Sequence, residues 1–273
     1  YQIHFNANYG HGSVMRFKNA PNWKEKALTR LQPHISIHFP PVLQRCLESV
    51  QQYPQTKQQK ELIHDLETNY FLEWEGHEFD LSYSFQVLNK VRGILNGWLQ
   101  DGEGKRVDIE CAKRDALIAE LDELHSAGEP CVVWCAFRND IESIQAHLKI
   151  ASLQMVGGKP FDLSSFQNGK CRIVLATLGS GASVNHFRDV PYAKFFSLSY
   201  KRLELQQAKG RHTRKDSAID SVYYKYFQSR NSYEEQLRRH LLDTEEHENQ
   251  LVKTWHSQLL STRKKKFNLS GKF

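Results

Sequence analysis

No stretch of this 273-residue chain approaches the roughly 20 consecutive apolar residues of a membrane-spanning helix, and no signal peptide opens it. Cysteine is scarce and scattered: five residues, an odd number, without the spacing of a disulfide framework. A reducing compartment, the cytoplasm, is therefore expected. Cys131 and Cys135 lie inside an apolar run with no second Cys/His pair at zinc spacing, so they read as buried thiols. His4, His11, His34 and His38 gather near the start but match no metal-site spacing, and no metal ligands are assigned. No G-x-x-x-x-G-K-S/T phosphate loop occurs; Gly157-Gly158-Lys159-Pro160 lacks its spacing and runs into proline. Nor does a G-x-G-x-x-G fingerprint support a Rossmann-like nucleotide enzyme. Asp122-Glu123-Leu124-His125 spells an acidic box, but inside a predicted helix, whereas a magnesium-binding acid pair should end an apolar strand. Charge is only mildly one-sided. A net charge of +6 is compatible with a polyanionic partner and does not establish one.

The composition that is present, 40% apolar and 25% charged, is ordinary for a globular protein with room for one large or two modest domains. The chain starts at Tyr1 in a segment that reads as mid-domain, so a piece of a longer polypeptide is expected. Trp23 to Leu31 reads as a short helix, and residues 42–50 as a strand or extended arm. Leu62, Ile63, Leu66, Tyr70, Phe71 and Trp74 form a 3.6-period stripe that predicts a helix from Lys57 to Trp74. A second helix is predicted from Phe85 to Leu99, and a turn at Asp101-Gly102-Glu103-Gly104 marks a boundary near residue 105.

Beyond that boundary the pattern changes. Lys113 to His125 is an amphipathic helix, and Cys131 to Cys135 is a short continuous apolar run of the kind found in buried parallel strands. Helices over 139–148, 161–167 and 202–209 alternate with strands over 153–156, 172–176, 193–198 and 222–227. Alternation of this kind predicts a doubly wound, parallel α/β domain. A charged helix from Glu234 and a basic tail, Arg263-Lys264-Lys265-Lys266, follow.

One motif stands out: Gln207-Ala208-Lys209-Gly210-Arg211-His212-Thr213-Arg214, of the form Q-x-x-G-R-x-x-R. Arg211 and Arg214 are three residues apart, so on a helical turn both guanidiniums leave from one side. Two permanently charged, fork-shaped donors suit an anion with several oxygens, such as a triphosphate. Gly210 would let a backbone or ligand come close. Three other segments accompany it: the strand ending in Phe137 and Arg138, Gly157-Gly158 with Phe166-Gln167-Asn168-Gly169, and Thr177 to Asn185 with its small residues.

In this order and spacing the four segments resemble the second motor lobe of superfamily-2 helicases, within the Swi/Snf-like DNA-dependent ATPases and nearest to phage and bacterial members. The resemblance is firmest over 111–250 and weaker before that. It implies a RecA-like doubly wound sheet with flanking helices over 106–250. A mostly helical remnant of the first lobe and interlobe helices (1–105) would precede it, and a basic tail (251–273) would follow. It also implies that Arg211 and Arg214 are arginine fingers for ATP at an interlobe cleft, with Gln207 positioning them. Gly210, Gly179 and Gly181 would line the nucleotide side, and Phe137, Arg138, Asn185, Lys201 and Arg202 would face nucleic acid. Ser183 departs from the family, which usually carries glycine there. The expected partners are ATP with Mg²⁺, DNA (or RNA), and a first lobe lying upstream or on another chain. The chain alone is expected to be inactive. The alternative is a non-catalytic nucleic-acid-binding or regulatory module that has lost its first lobe.

Overall fold

The structure, a computed structural model, describes residues 2–6, 14–18, 44–69, 71–74, 77–80, 84–100, 105–157, 162–183, 187–214 and 217–243. The chain divides into two compact units, residues 42–245 and residues 1–41 with 246–273. In the second of these, β1 (Gln2–Asn6) pairs antiparallel with β2 (Val14–Lys18). The helix expected at 23–31, the turn at 101–104 and the basic tail all lie outside the described residues.

The larger unit is built on a six-stranded, all-parallel sheet. Its strands are β3 (Arg45–Tyr53), β8 (Cys131–Cys135), β9 (Ser152–Met155), β10 (Ile173–Thr177), β11 (Tyr192–Phe195) and β12 (Ser221–Ser229), in the order β3-β12-β11-β8-β10-β9. This is the RecA-like α/β arrangement, with helices on both faces. Val132, Trp134, Val174, Ala176, Ala193, Phe195 and Tyr224 line one face and Cys131, Val133, Cys135, Ile173 and Leu175 the other. Both faces are buried, so the strands read as unbroken apolar runs. Burial pushes the Cys131 thiol up to about 12 and that of Cys135 well above its ordinary value.

β3 extends the sheet well ahead of the boundary expected near residue 105. It is an edge strand along which only Tyr53 is buried, stacked on Phe227 at 5.6 Å.

The segment ahead of the other five strands carries two 13-residue helices, α1 (Lys57–Asn69) and α2 (Ser84–Asn96). They pack through Leu62, Leu66, Val91, Ile94 and Leu95. Both end sooner than the periodicity predicts. Phe71–Trp74 is strand β4, paired antiparallel with β5 (His77–Asp80); its aromatic residues suit a strand as well as a helical stripe. α2 stops before Gly97, whose φ of +89° belongs to the left-handed region used at helix ends. β6 (Trp98–Gln100) then pairs with β7 (Arg106–Asp108).

Around the sheet lie α3 (Ala112–Ser126), α4 (Arg138–His147), the single-turn α5 (Ser164–Gln167), a 3₁₀ helix over Leu178–Ser183 and α6 (Arg202–His212). Residues 233–243 are helical as expected. α3 contains the acidic box in its last turn, and is tied to the sheet by Glu120, which pairs with Lys194 and Lys225.

Candidate functional site

α6 carries the Q-x-x-G-R-x-x-R motif. Leu205, Ala208 and His212 are buried at helical spacing and seat the helix on the sheet. Gln207, Gly210 and Arg211 lie off that stripe and are half-buried, while Arg214 is exposed just beyond the helix end. α6 returns from the carboxyl end of β11, so its own C-terminus reaches the amino edge of the sheet, beside Val190 and Gln44. There the Arg211 guanidinium is held below its usual pKa, first by desolvation and then by the charge of Arg214. The two cations therefore act on one another. A helix C-terminus offsets part of that repulsion, and an oxyanion between them would offset more.

Gly210 adds to this picture. Among the described residues, a Cβ built there would meet nothing within 4 Å. Glycine inside a helix costs about 1 kcal/mol relative to alanine, and packing gives no reason for it here. Gly210 immediately precedes Arg211 in the helix.

Three side chains not singled out from the sequence fix the backbone around this pair. His212 is fully buried. Its Nδ1–H donates to the Val190 carbonyl at 3.1 Å, and its Nε2 accepts the Trp134 indole N–H at 3.2 Å. The ring stacks on Phe187 and meets Trp134 and Tyr224 edge-on. Burial pushes its pKa down to about 4, so it is neutral at pH 7. Two residues after His212, the Arg214 backbone N–H donates to Gln44 Oε1 at 3.0 Å, and Gln44 Nε2 donates to the Ile219 carbonyl at 3.3 Å. Tyr224 donates its hydroxyl to the Lys209 carbonyl at 2.9 Å, closing the last turn of α6. The sequence signal for His212 was its place on the apolar stripe; Gln44 gave none.

The remaining predicted residues that the structure describes gather at the opposite, carboxyl edge. Lys201 and Arg202 begin α6, so they stand roughly 14 Å from Arg211 along the helix axis. Lys201 is exposed and pairs with Glu204 at 3.2 Å, whereas Arg202 is buried. Gly179 and Gly181 belong to the 3₁₀ helix after β10, which packs along α6. Gly179 lies beside Glu204, nearer the start of α6 than the arginine pair. Asn185 lies outside the described residues. Arg138 is exposed and pairs with Glu142 at 3.2 Å.

Phe137 is committed to packing. Its ring meets Trp98 edge-on at 5.6 Å and lies under the Arg92 guanidinium at 4.4 Å. Arg92 in turn covers Tyr200 at 4.6 Å and donates to the Leu198 carbonyl. Below them is Asp140, a fully buried carboxylate. It accepts from Asn96 Nδ2 at 2.8 Å, Trp98 Nε1 at 2.7 Å, the Phe137 N–H at 3.1 Å and the Ser197 hydroxyl. Desolvation raises its pKa, and the bonds from Ser197, Trp98 and Phe137 work the other way. Asn96 also accepts from the buried Lys113, which pairs with Glu234. Strand order reverses between β8 and β11, the crevice where open α/β sheets bind ligands. Here the chain's own side chains occupy it.

No family model matches the chain, and no curated protein matches it. Among solved structures it is similar to the crystal structure of the C-terminal part of the Fun30 ATPase domain, with a TM-score of 0.42 and 17% sequence identity. The match covers 46% of this chain and 44% of that one, so the chain spans less than half the length of the structure it matches.

Proposed function

We propose that this chain is the second lobe of an ATP-dependent nucleic-acid motor, in which Arg211 and Arg214 reach the phosphates of ATP held by a separate first lobe. The observation that carries this reading is the arginine pair itself. Its two charges act on one another at the amino edge of the sheet, beside the open flank of Gly210. ATP fits this chain only in part. Two guanidiniums suit the oxygens of a terminal phosphate, but the sequence holds no phosphate loop to cradle the rest. Mg²⁺ does not fit here: Arg211 and Arg214 are themselves cations, and the carboxylate of Glu48 is engaged by Lys209. Its ligands would come from the first lobe.

In this reading bound ATP supplies the phosphoryl group that is transferred. Arg211 and Arg214 grip its oxygens and spread the charge that builds up there, and Gln207, one turn before Arg211, helps to aim them. Arg138 and Lys201, the exposed cations of the carboxyl edge, would exchange Glu142 and Glu204 for backbone phosphates of DNA or RNA. That edge also supports the second reading, a nucleic-acid-binding module without catalysis.

Hydrolysis measured with DNA present, for the chain alone and mixed with a candidate first lobe, tests the proposal. Activity that arises only on mixing supports it. A first lobe that hydrolyses ATP equally well without this chain would count against it.

A further inference from the structure

We infer that His212 and Gln44 are positioning residues for the arginine pair, fixing the backbone at residues 212 and 214 so that both guanidiniums are set for a polyphosphate. The inference rests on the reading of Arg211 and Arg214 as phosphate-binding residues.

The geometry is specific. A contact from Nδ1 to the Val190 carbonyl requires a proton on Nδ1, which leaves Nε2 as the acceptor for the Trp134 N–H. The ring is thus locked in one tautomer, with both nitrogens used. Gln44 is likewise used at both ends, accepting from the Arg214 N–H and donating to the Ile219 carbonyl. The two anchors hold residues 212 and 214, between and at the arginines, and come from different places: His212 hangs on the central strand β8 through Trp134, and Gln44 leads into the edge strand β3. A leucine at position 212 would also seat the helix on the core, but it would take from the buried Trp134 N–H its acceptor. A doubly bonded histidine does something leucine cannot: it sets the rotation of the helix end about its axis. Long arginine side chains lose much rotamer freedom on binding, and a backbone held in advance lowers that cost.

The test uses the full chain and inorganic tripolyphosphate as probe, following the arginine Nε–Hε resonances by NMR. His212→Phe keeps the ring and removes both bonds; His212→Asn keeps a donor for Val190; Gln44→Ala frees the Arg214 N–H. We expect His212→Phe and Gln44→Ala to weaken tripolyphosphate binding about tenfold with the backbone amide spectrum otherwise native, and His212→Asn to restore part of it. Native affinity in a folded Gln44→Ala together with native affinity in His212→Phe overturns the inference. Should His212→Phe not fold, Gln44→Ala decides alone. Arg211→Ala separates the two claims. If that substitution leaves the affinity unchanged, the phosphate-site reading itself is wrong. If it abolishes binding while the anchor variants bind normally, only the positioning role fails.

Discussion

Trp134 donates its indole N–H to His212 across 3.2 Å, joining the centre of the sheet to the last turn of α6. One residue before that histidine is Arg211; two after it is Arg214. The helix end that presents both cations is therefore pinned to the most buried part of the fold, and its behaviour should follow the state of that bond.

Acid should undo it. The folded pKa of His212 is lowered to about 4 by burial, against about 6.5 for an unfolded histidine. Between those values the unfolded chain binds the extra proton. His212 therefore contributes its full stability above about pH 6.5 and loses it as pH falls toward 4, on the order of 3 kcal/mol in all. Urea titrations across that window should show the loss, and His212→Asn should flatten it. An equal slope in the variant would assign the acid sensitivity elsewhere.

Gly210→Ala should separate stability from binding. With open space around the position, alanine should stabilise the chain by about 1 kcal/mol through helix propensity. The added methyl would stand where the polyphosphate approaches, weakening its binding about tenfold. Thermal melts and tripolyphosphate titrations read the two effects. A variant that gains stability and keeps its affinity would show that the space serves no ligand.

Asp140→Asn should be costly for a different reason. The carboxylate accepts from four donors, and an amide offers one oxygen, leaving two donors facing an NH₂ group. A loss of about 3 kcal/mol in chemical denaturation is expected. A loss below about 0.5 kcal/mol would mean that the network tolerates rearrangement.

Contacts to nucleic acid at the carboxyl edge predict a salt signature. Each phosphate neutralised should add roughly one unit to the slope of log affinity against log salt, so Arg138→Ala and Lys201→Ala should each lower that slope by about one. A slope unchanged in both variants removes this edge from the binding surface.

Much of the architecture was legible in the sequence because the central strands are buried on both faces. Cys131–Cys135 and Ile173–Thr177 announce themselves as continuous apolar runs. β3 was read as a strand or extended arm over 42–50, but not as part of this sheet, since its exposed residues follow no core pattern and its partner lies about 175 residues away. The turn from α1 into β4 was hidden because Tyr70, Phe71 and Trp74 continue a helical stripe that pairing with β5 overrides. In the candidate site, spacing alone brought Arg211 and Arg214 together, and their proposed role came from the companion segments. The roles of Gln44, Asp140 and Lys113 were not readable, because a polar residue reads as exposed until its tertiary partners are known. Phe137 was read as facing nucleic acid; its ring contacts with Trp98 and Arg92 had no sequence signal.

The proposed trans-acting role of Arg211 and Arg214 is tested most directly by single-turnover ATP hydrolysis with a complementing first lobe and DNA, comparing the native chain with Arg211→Ala. A fall of about 10³-fold or more is predicted, in the range of an arginine finger, with ATP binding to the first lobe little changed. Hydrolysis at the native rate in Arg211→Ala would contradict it.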